Sequence, residues 1–154
     1  MAKKYDLTPE GAYKYVLDYL DRFDRTEMQV RRKLKEKGFD LESRTTAVIK
    51  AKDYGYIDDE RYAERYVEIH TASKGKRRIK RELIEKGIAE AVVDKILIDV
   101  TDEDESCYAV AEKFLRSKKR DEKLRERLFR HLVSRGFGYD DVKSTMRKFD
   151  FDCE

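Results

Sequence analysis

Little in this 154-residue chain supports a sheet, a membrane span or a metal site. Proline occurs once and glycine seven times, so the turn chemistry that closes hairpins is scarce. No apolar run reaches the roughly 18 residues of a membrane helix. The opening Met1-Ala2-Lys3-Lys4-Tyr5-Asp6 lacks the apolar stretch of a signal peptide, so a cytoplasmic protein is expected. The two cysteines, Cys107 and Cys153, have no partner-like spacing, and free reduced thiols are expected. The two histidines, His70 and His131, stand apart from any Cys, His or paired acids at ligand spacing. Neither Gly-x-x-x-x-Gly-Lys-Ser/Thr nor Gly-x-Gly-x-x-Gly occurs, which removes the usual nucleotide cradles. The carboxylate pairs Asp58/Asp59 and Asp140/Asp141 sit at helix starts, where capping explains them. No catalytic residue, cofactor or metal is expected.

What the chain has is charge and a period. Charged residues make up 45% and apolar residues 40%, which suits a thin core along an extended body. Net charge is only +3, but it is unevenly placed. Residues 74–86 carry seven Lys/Arg against two Glu, and residues 116–135 carry nine against three acids. Base clustered on particular helices is the electrostatic footprint of a polyanion partner. Residues 99–105 carry five acids and no base, which reads as the N-terminal turn of a helix.

The period lies in a pattern that occurs three times: Val30-x-x-x-Leu34-x-x-x-Gly38-Phe39, Ile79-x-x-x-Leu83-x-x-x-Gly87-Ile88 and Leu128-x-x-x-Leu132-x-x-x-Gly136-Phe137. Its glycines are 49 residues apart both times. Apolar residues four apart share one helix face, and a glycine four further on can end the helix in the left-handed conformation. Each glycine is then the first residue beyond the helix, and the apolar residue after it folds back on the leucine. A matched helix stop at fixed period is a repeat signature. The expected fold is all-α, with three tandem three-helix repeats stacked into an elongated, curved body. The boundaries are 1–57, 58–100 and 101–154, the last repeat ending in a short acidic tail.

Taken in order, Thr8-Pro9-Glu10 opens a helix that Ala12, Val16, Leu20 and Phe23 carry to about Phe23. Thr26 with Gln29 forms a capping box for the next. A third helix over 42–54 turns Ala47, Val48 and Ala51 inward and ends near Gly55. Asp58 caps a helix in which Tyr62, Ala63, Tyr66, Val67 and Ile69 run to about Ala72. After Gly87 come Ile88, Ala91, Val92, Ile96 and Leu97. The third repeat starts at Thr101-Asp102-Glu103-Asp104, with Tyr108, Ala111, Phe114 and Leu115 on its inner face. Its second helix spans about 120–135. Its third runs from 139 to 149, and residues 150–154 fray.

The functional candidates are the cations of each repeat's middle helix. In the second repeat these are Lys74, Lys76, Arg77, Arg78, Lys80 and Arg81. Ile79 and Leu83 define its buried face, which leaves Arg77, Lys80 and Arg81 pointing outward. Arg31, Arg32, Lys33 and Lys35 correspond in the first repeat, and Lys118, Lys119, Arg120, Lys123 and Arg127 in the third. Such a wall would track a phosphate backbone or an acidic protein groove. No arrangement that reads base edges is evident, so sequence-specific binding is not expected.

Gly55-Tyr56-Ile57-Asp58-Asp59-x-Arg61-Tyr62-Ala63, followed by Gly75-x-x-x-Ile79-x-x-x-Leu83-x-x-Lys86-Gly87-Ile88, resembles the signature of the bacterial regulatory RecX family. Leu132-x-x-Arg135-Gly136-Phe137-x-Tyr139-Asp140-x-Val142 and Thr26-Glu27-x-Gln29-Val30-x-x-Lys33-Leu34 are similar to the same family. The likeness covers about residues 10–149. Lys76 departs from it, standing where many relatives have proline. The resemblance implies tandem three-helix repeats. It also implies a modulator of RecA recombinase that binds the RecA–single-stranded-DNA filament and limits its extension. ATP hydrolysis, strand exchange and the co-protease activity that triggers the SOS response would thereby be restrained. The partners expected are that filament and single-stranded DNA, with double-stranded DNA as a further one, met by a monomer away from any membrane. Two other readings compete: a sequence-independent DNA-binding protein acting without RecA, and a helical adaptor for an acidic protein.

Overall fold

The computed structural model describes residues 4–101 and 103–151, and among them every regular element is a helix. Nine follow in chain order. They are α1 (Pro9–Leu20), α2 (Glu27–Glu36), α3 (Leu41–Asp53), α4 (Asp59–His70), α5 (Lys76–Glu85), α6 (Glu90–Leu97), α7 (Glu103–Leu115), α8 (Leu124–Ser134) and α9 (Tyr139–Lys148).

Local chemistry accounts for the ends. The Thr8 hydroxyl accepts the Gly11 amide, with Pro9 in the first turn. Thr26 and Gln29 form the expected reciprocal capping box. Asp40 accepts the Ser43 amide at 2.8 Å, and bonding to the Ser43 side chain and then to this amide holds the Asp40 carboxyl below its ordinary range. Asp58 accepts the Arg61 amide at 3.1 Å. The three periodic glycines are all left-handed, Gly38 at φ 89°, Gly87 at 93° and Gly136 at 91°. In α2 the Phe39 amide donates to the Leu34 carbonyl and the Gly38 amide to Lys35. In α8 the Phe137 amide donates to Leu132 and the Gly136 amide to Val133. These are the paired bonds of a Schellman ending. Gly55 closes α3 in the same way, its amide donating to Lys52 and the Tyr56 amide to Ala51.

Packing gathers the chain into two compact units. The first holds residues up to Ala63 together with Glu85–Ala89; the second holds Glu64–Ile84 and everything from Glu90. In the first, Ala12 and Val16 of α1 pack with Val30 and Leu34 of α2 and with Ala47, Val48 and Ala51 of α3. The alanines let α1 and α3 approach closely, since neither helix is held off by long side chains there. In the second, Cys107 and Ala111 of α7 pack with Leu128 and Leu132 of α8 and Val142 and Met146 of α9.

Several expectations need correction. Helix α1 stops at Leu20, three residues early, and Phe23 is 63% exposed because Asp21–Phe23 turn away from the core. Ile69 is 70% exposed, since Ala63 and Val67 already fill the inner face of α4. On α6 the buried residues are Val93 and Leu97, while Ala91 is exposed. On α7 Cys107, not Tyr108, is the core residue; burial pushes its thiol up to about 11. Helix α8 begins at Leu124 rather than about 120, because no apolar residue precedes Leu124 in the polar run from Arg116. Asp150 and Phe151 are held against the fold rather than frayed. Asp150 takes the left-handed position at φ 64°, the Phe151 amide donates to Met146, and Phe151 is buried in the α7–α9 core. Asp102, Cys153 and the last of the acidic tail lie outside the described residues.

Each unit also contains one joint between neighbouring repeats, and the two joints are alike. In the first unit the Thr26 hydroxyl donates to the Lys86 carbonyl at 2.6 Å, and the Glu27 amide to the Asp59 carboxylate at 2.9 Å. In the second the Gly75 amide donates to the Arg135 carbonyl at 2.7 Å, and the Lys76 amide to the Glu103 carboxylate at 2.8 Å. Thr26 and Gly75 are 49 residues apart, as are Lys86 and Arg135. The start of one repeat's middle helix thus receives the end of the next repeat's middle helix. An acid near the start of the following repeat covers an orphan amide there. The acidic helix starts do cap helices, but Asp59 and Glu103 each cap a helix of the repeat before their own.

Candidate nucleic-acid interface

Aligning α2, α5 and α8 on their buried pairs places the cations by helical angle. On α5 the face opposite Ile79 and Leu83 carries Arg77, Arg81 and Ile84, all exposed. The same face of α2 carries Met28, Arg32 and Lys35, and that of α8 carries Glu126, Arg130 and Val133.

Exposure does not make a cation available, and the ion pairs sort these residues. Lys74 Nζ lies 2.9 Å and Arg78 Nε 2.9 Å from the Glu82 carboxylate, which the Tyr66 hydroxyl also reaches. Burial pushes the Glu82 carboxyl up. The bonds from Tyr66, Lys74 and Arg78 outweigh it and hold the group down at about 2. Lys80 is spanned by Glu90 at 2.9 Å and Asp94 at 2.8 Å on α6, and bonding to Asp94 and then Glu90 raises its pKa. Lys74, Arg78 and Lys80 therefore have internal partners. Arg77, Arg81 and the Lys76 ammonium have no carboxylate partner among the described residues.

The first repeat is similar. Arg31 pairs with Glu27 at 3.3 Å and Lys33 with Glu36 at 3.5 Å, while Lys35 has no carboxylate partner among the described residues. The Arg32 guanidinium rests near the Met28 sulfur. In the third repeat only Arg127 of the proposed residues lies within α8, and it is bound to Asp121. Arg120 donates to the Phe149 and Asp150 carbonyls and lies over the Phe151 ring, closing the end of α9. Lys118 and Lys119 lie in the connection before α8, and Lys123 at its cap position. Lys118 stands over the Phe114 ring, and among the described residues no carboxylate partner is present for Lys119 or Lys123. The outward face of α8 is itself self-neutralised, Arg130 pairing with Glu126. Besides Arg32 and Lys35 on α2, the cations of these outward faces that have no carboxylate partner among the described residues are the α5 pair, Arg77 and Arg81. One turn apart, they set two guanidinium groups about 6 Å from each other at the Cβ level, suited to two anionic groups on a partner.

Sequence reasoning overlooked Lys113, His131 and Arg135, which with Ser73 and Phe114 border a cleft of about 380 Å³. They come from segments far apart in the chain, and no local pattern joins them. Among the described residues no group of three His, Cys, Asp or Glu gathers as a metal site, and no helix is long and apolar enough to cross a membrane.

The chain matches the family descriptions "RecX, first three-helix domain" over residues 12–49, "RecX, second three-helix domain" over 58–97 and "RecX, third three-helix domain" over 102–146. It is 39% identical to the regulatory protein RecX of Clostridium perfringens (strain 13, type A) over 130 residues, covering 80% of this chain. It is 36% identical to that of Clostridium botulinum (strain Eklund 17B, type B) over 135 residues, covering 84% of it. The chain spans 61% and 64% of the length of these two relatives. The crystal structure of RecX from Lactobacillus salivarius superposes with a TM-score of 0.79 at 28% identity, covering 92% of this chain and 96% of that one. A second crystal structure of a regulatory protein RecX gives 0.78 at 31% identity, covering 91% and 71%.

Proposed function

The chain belongs to the RecX family, and from that premise we propose that it is a non-enzymatic regulator of RecA recombinase. It binds the RecA–single-stranded-DNA filament and limits its extension, and with it ATP hydrolysis, strand exchange and SOS co-protease activity. The working units are the repeats 1–57, 58–100 and 101–154, carried by a cytoplasmic monomer. The observation that supports a polyanion partner is the unpaired Arg77/Arg81 stripe of α5, with Ile84 beside it to cover apolar surface. Lys76, Arg32, Lys35, Lys119 and Lys123 add positive field without a carboxylate partner among the described residues. Lys74, Arg78, Lys80, Arg120 and Arg127 contribute to this field only through their net charge, since their side chains are engaged inside the protein.

The test is RecA ATPase on single-stranded DNA. Substoichiometric protein, well below the level that coats bare DNA, is expected to depress the rate. Arg77→Glu with Arg81→Glu is expected to raise the half-effective concentration at least tenfold while leaving the melting temperature within about 2 °C. Because these arginines support neither core nor ion pair among the described residues, the double variant is expected to remain folded. The log–log salt slope for single-stranded DNA should shrink by about 1.4, two contacts at roughly 0.7 each. Depression only at coating levels would instead favour a DNA-binding protein that acts without RecA. Unchanged potency in the variant would remove α5 from the interface.

A further inference from the structure

We infer that the cleft between α7 and the end of α8 is a phosphate-binding site, separate from the α5 stripe and fitted to a nucleotide-sized ligand. Its walls come from Ser73 before α5, Lys113 and Phe114 on α7, Lys118 in the following turn, and His131 and Arg135 at the end of α8. Three of these are permanent cations and none of the lining groups is a carboxylate. No ion pair neutralises Lys113, Lys118 or Arg135 among the described residues. This contrasts with α5, where Arg78 and Lys80 have internal carboxylates. Uncompensated positive charge around a concave site is an electrostatic arrangement that an anion completes.

The side chains are held for that purpose. Arg135 donates from Nε at 2.9 Å and Nη2 at 2.6 Å to the Ser73 carbonyl, which fixes the plane of its guanidinium and leaves Nη1 unbonded. His131 stacks on Phe114 with ring centroids 4.5 Å apart and an interplanar angle of 23°. The Lys118 ammonium stands 5.3 Å from the centre of the same ring. Burial, followed by the charges of Arg135 and Lys118, lowers the His131 pKa, so the imidazole senses the same positive field. Guanidinium, ammonium, hydroxyl and imidazole groups are the donors that surround phosphate oxygens. The volume of about 380 Å³ exceeds a bare phosphate and admits an attached sugar or base, for which Val110 and Phe114 supply apolar wall. Two sources share this chemistry: a free nucleotide, and a phosphodiester within a strand.

His131 is a built-in reporter, because a bound anion must raise its pKa by linkage. The imidazole protons of both histidines are followed by NMR across pH in the full chain, with His131→Gln giving the assignment. Thymidine 5′-monophosphate and a tetrathymidylate lacking terminal phosphates are the probes. At least one is expected to raise the His131 pKa by about 0.5 to 1 while His70 stays in place, a shift of the size a nearby charge produces. A response to the monophosphate alone identifies a terminal phosphate, and a response to the strand identifies a phosphodiester. Lys113→Gln with Lys118→Gln, both at exposed positions, is expected to weaken the response at least tenfold. The site is overturned if neither probe moves His131, or if the response survives unchanged in the double variant. It is also overturned if an acidic pentaglutamate peptide moves His131 and the phosphates do not.

Discussion

Gly136→Val is expected to destabilise the protein by about 3–5 kcal/mol, against about 1–2 kcal/mol for Gly38→Val. The two glycines have nearly the same backbone, φ 91° and 89°, so both variants bear the cost of a side chain in the left-handed region. The difference lies in what surrounds them. A Cβ at position 38 meets nothing within 4 Å. At position 136 it overlaps the Arg78 Cβ and comes 2.5 Å from the Arg78 backbone nitrogen, which cannot swing aside as a side-chain tip can. Valine there forces apart the joint in which the Arg135 and Gly136 carbonyls accept the Gly75 and Arg77 amides. Gly87→Val should fall between the two: the Met28 sulfur and methyl can rotate away and the Met28 Cβ cannot, but the nearest atoms all belong to that side chain rather than to backbone. Thermal melts read the order directly: for a chain of this length each kcal/mol lowers the midpoint by about 2–4 °C. Equal losses at positions 38 and 136 would show that the joint contributes nothing to stability.

That contrast marks where sequence reading stops. The helix-ending bonds of Gly38 and Gly136 were legible because they are local: glycine, the preceding leucine and the following phenylalanine lie within six residues. So were the caps at Thr8, Thr26 and Asp58. The joints were not legible, because Glu27 finds Asp59 and Lys76 finds Glu103 only after the repeats have packed. An acid at a helix start looks the same whether it caps its own helix or its neighbour's. The inner face of α6 was misplaced for a related reason. Eight residues with apolar side chains at five positions support more than one helical face, and tertiary packing selected Val93. Asp150 escaped notice because the helix-ending role usually marked by glycine is taken by aspartate. For the functional surface, the sequence located positive charge but not its neutralisation. Lys74, Arg78 and Lys80 looked as available as Arg77 and Arg81 until Glu82, Glu90 and Asp94 were seen beside them.

Glu82 therefore supports the sharpest pH prediction. Glu82→Gln is expected to destabilise the protein by about 2–4 kcal/mol at pH 7, and the deficit should vanish in acid. The folded carboxyl sits at about 2 against an ordinary 4.5. A depressed carboxylate contributes stability that is fully present above 4.5 and is lost as pH falls through that value toward 2. The shift corresponds to about 3 kcal/mol at the unit conversion. Its side chain retains 18% exposure, and solvent screening reduces this to an order of 2 kcal/mol. The remainder comes from Lys74, whose own side chain is only 15% exposed and would lose its carboxylate partner. Wild type and variant should then differ in chemical-denaturation midpoint at pH 7, differ less at pH 4, and converge near pH 2. A gap independent of pH would mean that Glu82 acts by packing rather than by charge. Binding should move the other way. Removing this carboxylate leaves Lys74 and Arg78 uncompensated beside Arg77 and Arg81, so low-salt affinity for single-stranded DNA should rise as stability falls. Opposite signs in one substitution separate the two uses of positive charge on α5, one holding the helix in place and the other meeting a polyanion.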